Sequence, residues 1–221
     1  MTTSSLEPRC GSGLPAWLAA FVGLWAARKL GLGVPLLEAW RYGGPIERRV
    51  GPMALIACAL GIASAIFIIA LDFFLFVPLD REGVGHLATN HPPAWMGLLA
   101  SVYGGISEEI LLRLFLLSVL ALGMRYLFDS LGGRRDSPLP SAIFWTANLF
   151  VAILFGLGHL PATAELITLT SVIVARAIVL NGVVGLIAGF LFWRRGLEMA
   201  MVCHFSADIV LHVLYPLTAG P

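Results

Sequence analysis

Residues 107–113 read SEEILLR and sit inside SVYGGISEEILLRLFLLSVLA, a stretch that is otherwise almost wholly apolar. Two carboxylates and a guanidinium, those of Glu108, Glu109 and Arg113, therefore stand in the greasiest part of the chain. A charged side chain at a bilayer centre costs roughly 2.5–3.5 kcal/mol on insertion scales, so such groups face the protein interior and pair with one another. Glu109 and Arg113 are i and i+4 with the acid first, the favourable order for an intrahelical pair. Glu108 points about 100° away from Glu109 at 3.6 residues per turn and has no partner in its own helix. Two further segments carry ionisable groups. His159 closes FGLGH one turn after Phe155, and His204 and Asp208 stand four apart in HFSAD, on one helix face. Each feature has a plain structural use, as packing glue, an interface histidine or an internal hydrogen bond. Together they put an ionisable group on each of three apolar helices, and intramembrane ionisable residues are functional candidates by default. Histidines with carboxylates can also ligate zinc, although no HExxH is present. Cys203 and His204 are adjacent and diverge on a helix, which disfavours a cysteine mechanism.

Composition says what kind of scaffold must position these groups. Of the 221 residues, 58% are hydrophobic and 12% charged, and the mean hydropathy is +0.89. A soluble domain carries about a quarter charged residues, so the chain reads as one integral membrane domain over 1–221. The net charge of +1 gives no argument for nucleic acid. Cys10, Cys58 and Cys203 lie far apart and are odd in number, which makes no disulfide framework. The first thirteen residues are polar, with Glu7 and Arg9 nearly balanced, and the apolar run after them is expected to be retained rather than cleaved.

A spanning helix needs about 20 mostly apolar residues. Candidate spans fall near 14–34, 50–79, 94–128, 140–160, 164–181, 182–193 and 196–215, with loops at YGGP (42–45), NHPP (90–93) and GGRRDSPLP (132–140). The expected fold is all-α, a polytopic membrane bundle of about 6–8 transmembrane helices. Gly182, Gly185 and Gly189 have the spacing of small residues that let helix backbones approach closely. With seven spans, Arg28, Lys29, Arg41, Arg48, Arg49, Arg125, Arg134 and Arg135 share one side, and Arg9, Arg81, Arg194 and Arg195 the other. By the positive-inside rule the first set is cytoplasmic and the N-terminus extracytoplasmic. His159 and His204, near the other ends of their helices, then place the site toward the extracytoplasmic face. His212 continues the His204–Asp208 stripe as an end-of-helix interface residue, and His86 and His91 are expected in solvent. Asp72 and Arg176 are expected to snorkel or pair.

The ordered set EEILLR (108–113), FGLGH (155–159) and HFSAD (204–208) resembles the CPBP family of intramembrane glutamic endopeptidases, which includes the CAAX prenyl endopeptidases and bacterial relatives linked to bacteriocin processing. The family pattern is EExxxR, then FxxxH, then HxxxN or HxxxD, on separate membrane helices. The likeness covers residues from about 94 to 216; the part before it resembles nothing specific. Asp208 stands where the eukaryotic proteases have Asn and many bacterial relatives have Asp.

The resemblance implies an endopeptidase that cleaves a membrane-associated protein or peptide with a Glu-activated water. Glu108 is then the base, because a desolvated carboxylate has a raised proton affinity suited to that task. His159 helps hold the water, His204 with Asp208 stabilises the oxyanion, Glu109 with Arg113 places Glu108, and Phe155 supports. No cofactor is expected, with zinc as the alternative. The implied partners are a membrane-anchored or lipidated protein or peptide and the lipid bilayer. The implied location is multi-pass in the membrane, in a bacterium the inner (cytoplasmic) one. The competing functions are a catalytically silent scaffold or immunity protein of the same fold, and a small transporter, against which the lack of an inverted repeat argues.

Overall fold

The computed structural model describes residues 16–45, 50–89, 92–132 and 138–219. Glu7, Arg9, Cys10, Arg48, Arg49, His91, Arg134 and Arg135, and the side chain of His86, lie outside them. The described residues form helices and no strand. In chain order these are α1 (Ala16–Lys29), α2 (Pro35–Tyr42), α3 (Val50–Leu79), α4 (Arg81–Thr89), α5 (Ala94–Ser130), α6 (Ser141–Ala164), α7 (Ser171–Arg195) and α8 (Leu197–Thr218). Five of them, α3 and α5 to α8, are long and apolar enough to cross a membrane.

Two segments differ from the hydropathy pattern. The stretch near 14–34 holds only the 14-residue α1, which ends at Arg28 and Lys29 and turns at Gly31 (φ +71°) into the short α2. Residues 164–181 and 182–193 are not two spans: Ser171–Arg195 is one helix of 25 residues. Glycine lowers helix propensity by about 1 kcal/mol, which makes GVVGLIAG look like a break. Here it is the face on which α6 and α7 pack. A side chain at Gly185 would press on Ala152 at 3.2 Å, and one at Gly189 would collide with Asn148. Gly182 has open space around it.

Small residues set the other contacts as well, as expected where lipid removes the hydrophobic drive between helices. Gly61 of α3 lies against the Cys203 carbonyl of α8, and Gly97 of α5 against the His212 carbonyl. Gly23 lets α1 lie against the α5 backbone at Leu114. The outer surface is apolar: Leu55, Phe74, Leu99 and Leu127 are each more than half exposed.

The unbroken α7 also moves charge. Leu197 N–H donates to the Gly33 carbonyl, and Leu36 and Leu37 N–H donate to Glu198 Oε1. These bonds tie the α1–α2 turn to the α7–α8 turn, so Arg194 and Arg195 share an end with Arg28, Lys29, Arg41 and Arg125 rather than opposing them. Arg81 and Arg176 lie at the other end, where Arg176 is bound to Asp72 by two hydrogen bonds of 2.7 Å. Among the described residues six Lys and Arg lie at the first end and two, Arg81 and Arg176, at the other. Reporter fusions in the 131–140 loop are expected to read cytoplasmic, and fusions between α6 and α7 extracytoplasmic. The reverse pattern would turn the molecule over. Trp40 and Tyr42 of α2 are exposed at the basic end, the position of an interfacial aromatic belt.

Candidate active site

α5 departs from α-helical winding where its charges are. Gly104–Glu108 and Ile110–Leu117 are π-wound, an arrangement that recurs at functional sites. Ser118 Oγ donates to the Arg113 carbonyl at 3.2 Å. α8 is π-wound over Ile209–Leu214, directly after Asp208.

Glu109 is fully buried and Arg113 is 1% exposed. Arg113 Nη1 lies 3.2 Å from Glu109 Oε1. This is an ion pair by distance whose direction does not make it a hydrogen bond. Arg113 Nη2 donates to the Gly185 carbonyl of α7 at 3.2 Å, and the guanidinium stands 5.2 Å from the centre of the Phe155 ring of α6. One cation thus joins three helices. Glu109 Oε1 also meets His204 Nδ1 of α8 at 2.7 Å. Since a carboxylate only accepts, Nδ1 carries the proton in this pairing.

With Nδ1 held, the other ring nitrogen of His204 is aimed. Its Nε2 lies 3.6 Å from Asp208 Oδ2 and 3.9 Å from Glu108 Oε2. The Glu108 side chain is 26% exposed, against 0% for its neighbour. The two adjacent carboxylates therefore differ sharply: one is locked between Arg113 and His204, the other faces open space. The level of Gly185 lies about 15 Å from the Arg195 end of α7 and about 21 Å from its Ser171 end at 1.5 Å per residue. His204 is the eighth of the 22 residues of α8, inside the helix rather than at its end.

His159 meets this group through Phe155. Its Nδ1 donates to the Phe155 carbonyl at 2.8 Å, and its ring meets the Phe155 ring edge-on at 4.9 Å. The Phe155 ring meets His204 in the same way at 5.5 Å, so one phenyl ring touches both imidazoles. His212 is 54% exposed, with Nε2 3.8 Å from Asp208 Oδ1. Two cavities, of about 480 and 240 Å³, open at the basic end beside Arg194–Arg195 and Arg125, and no member of this group lines them. Among the described residues no group of three or more His, Cys, Asp and Glu is placed to hold a metal ion.

Two features escaped sequence reasoning. The Glu109–His204 contact crosses helices, and spacing rules register only partners within one helix. Gly97, Ser101, Gly104 and Gly105 form a small-residue stripe on α5 that admits α8, and its 4-3 spacing was visible in the sequence.

The family model for Type II CAAX prenyl endopeptidase Rce1-like proteins matches residues 90–210, which contain Glu108, Glu109, Arg113, Phe155, His159, His204 and Asp208. No curated protein matches the chain, and no solved structure does. The matched span is more than half of the chain and agrees with the resemblance that the three motifs carry. This integral membrane helix bundle belongs to the Rce1-like type II CAAX prenyl endopeptidase family.

Proposed function

We propose that the chain is an intramembrane endopeptidase of the glutamic type, with Glu108 as the base. The observation that supports this is the contrast between the two neighbouring glutamates. Glu109 is neutralised by Arg113 and His204, and Glu108 is left beside His204 and Asp208 with part of its surface open. In this reading Glu108 takes a proton from water as the oxygen adds to the peptide carbonyl. It then returns that proton to the departing amine nitrogen. His204, anchored through Nδ1 on Glu109, donates from Nε2 to the oxyanion when both ring nitrogens carry protons. Asp208 orients that imidazole. His159, fixed by the Phe155 carbonyl, borders the site beside the Phe155 ring and helps hold the water. The reaction uses no metal. The substrate is a membrane-anchored or lipidated protein or peptide that reaches mid-bilayer depth, in the inner membrane if the host is bacterial.

The test is reconstitution into liposomes with a panel of membrane-anchored peptides, prenylated and unmodified, and mass spectrometry of the new termini. A defined cut by the wild-type protein is expected; intact peptides throughout with a folded protein would leave the scaffold reading. On a cleaved peptide, His204→Ala should lower kcat about 10²–10³-fold, as loss of one oxyanion donor does, with KM little changed. Asp208→Asn should stay within a few-fold of wild type.

A further inference from the structure

The larger cavity lies at the basic end of the bundle, apart from the glutamate–histidine group. Its volume of about 480 Å³ falls within the range of small-molecule sites, about 300–1,000 Å³. The α1–α2 turn, the first turn of α3 and the α7–α8 turn border it, and its charged lining residues are Glu38, Arg194 and Arg195. The carboxylate is already engaged: Glu38 Oε1 accepts from Arg28 Nε and Nη2 at 3.1 and 2.9 Å. Glu198, in the adjoining turn, does not line the cavity. Its Oε1 accepts from Leu36 and Leu37 N–H, and its Oε2 is buried. The two arginines are not engaged in this way. Among the described residues neither meets a carboxylate, and Arg194 stands 5.2 Å from the centre of the Trp193 ring. The smaller cavity is the contrast: its Arg125 is tied to Asp129 at 2.9 Å and to the Pro138 carbonyl at 3.1 Å.

We infer that the larger cavity binds the headgroup of one anionic glycerophospholipid, with Arg194 and Arg195 on its phosphodiester. Three observations identify the occupant as a lipid. The first is depth. The two arginines end a 25-residue helix that is long and apolar enough to span, which puts them at the headgroup level. Exposed Trp40 and Tyr42 of α2 mark the same level. The second is the apolar part of the wall. Leu36, Val50 and Met53 line the cavity together with the arginines. Ile56, three residues on from Met53 along α3, is exposed on the outer surface of the bundle, where an acyl chain would run. A free phosphate would use the arginines and leave that path empty. The third is sign. The positive-inside rule makes this end cytoplasmic, and basic pockets between helices on that side take the headgroups of anionic lipids. Arginine suits the phosphodiester, because its planar fork gives two parallel hydrogen bonds. Nothing in this site depends on peptidase activity.

The experiment is native mass spectrometry of the purified protein in detergent, titrated with phosphatidylglycerol, with phosphatidylcholine and with glycerol 3-phosphate. One tightly held phosphatidylglycerol per protein is expected, with phosphatidylcholine bound more weakly and glycerol 3-phosphate unable to displace the lipid. Arg194→Gln/Arg195→Gln should weaken phosphatidylglycerol binding about 30-fold, the loss expected for two cations at the headgroup. Lys29→Gln/Arg41→Gln removes the same charge at the same end from residues that do not line this cavity, and should bind as wild type does. Gly33→Met tests the volume with every charge kept. Gly33 lines the cavity, its backbone is not left-handed, and a Cβ there would have only the Glu38 carboxylate oxygens within 4 Å, both at 3.9 Å. It should weaken binding as well. Equal weakening in the two double variants would show attraction to a basic surface without a site and overturn the inference. So would phosphatidylcholine bound as tightly as phosphatidylglycerol, or displacement of the lipid by glycerol 3-phosphate, which would make this a site for a soluble phosphate. Should the arginine pair prove necessary for folding, Gly33→Met with wild-type affinity would overturn the inference by itself.

Discussion

Arg113→Ala is expected to lose folded protein before it loses anything else. The Glu109 carboxylate is fully buried, and its partners are Arg113 and His204. Removing the cation leaves a buried charge with one imidazole contact, and breaking a buried pair from one side costs about 3–5 kcal/mol. The same substitution removes the hydrogen bond to the Gly185 carbonyl and the guanidinium that faces Phe155, so α5, α6 and α7 lose a shared anchor. Arg113→Lys should not restore this, because one ammonium cannot serve the carboxylate and the carbonyl with the planar fork that both use. Yield and thermal stability in detergent read the effect. Arg113→Ala with wild-type stability would show that the pair is incidental. Released from Arg113, Glu109 would also hold His204 less firmly, so the surviving fraction should turn over more slowly.

The scaffold was legible where hydropathy is uniform. Val50–Leu79 and Ala94–Ser130 stand in the sequence as long apolar runs, and both are single helices. It was misread where helix propensity and helix packing pull apart. Gly182, Gly185 and Gly189 weaken a helix in isolation, but Gly185 and Gly189 are the surface against which Ala152 and Asn148 seat. Packing against α6 overrides the propensity, and one 25-residue helix results. That single change carried Arg194 and Arg195 to the other end of the bundle. At the N-terminus a run of apolar residues looked long enough to span, and Gly31 with its left-handed backbone ends it after α1.

At the site, the identity of the groups was legible and their pairing was not. The i, i+4 relation drew Glu109 to Arg113, and the two are 3.2 Å apart. It could not show that the same carboxylate oxygen meets His204, 95 residues away. Nor could it show that the Phe155 ring touches both His159 and His204. Spacing along a helix gives the face a side chain occupies. Depth and rotation between helices come from small-residue contacts such as Gly97 with His212, and these appear only once the helices are paired.

Glu108→Gln is the change with the largest expected effect on chemistry. The amide keeps the size of the carboxylate and can still hydrogen-bond, but it cannot take a proton from water. The site loses its base while Glu109, Arg113 and His204 keep their contacts. Because Glu108 is 26% exposed and outside the buried pair, the substitution should leave folding and peptide binding intact and lower turnover by about 10²–10⁴-fold. The most direct measurement is cleavage of one membrane-anchored peptide by wild-type and Glu108→Gln proteins in the same liposomes, with and without a zinc chelator. Wild-type cleavage that the chelator does not change is expected, with cleavage at least about 100-fold slower by a folded, peptide-binding Glu108→Gln protein. Cleavage by Glu108→Gln at a rate near wild type, or wild-type cleavage abolished by the chelator, would contradict the mechanism.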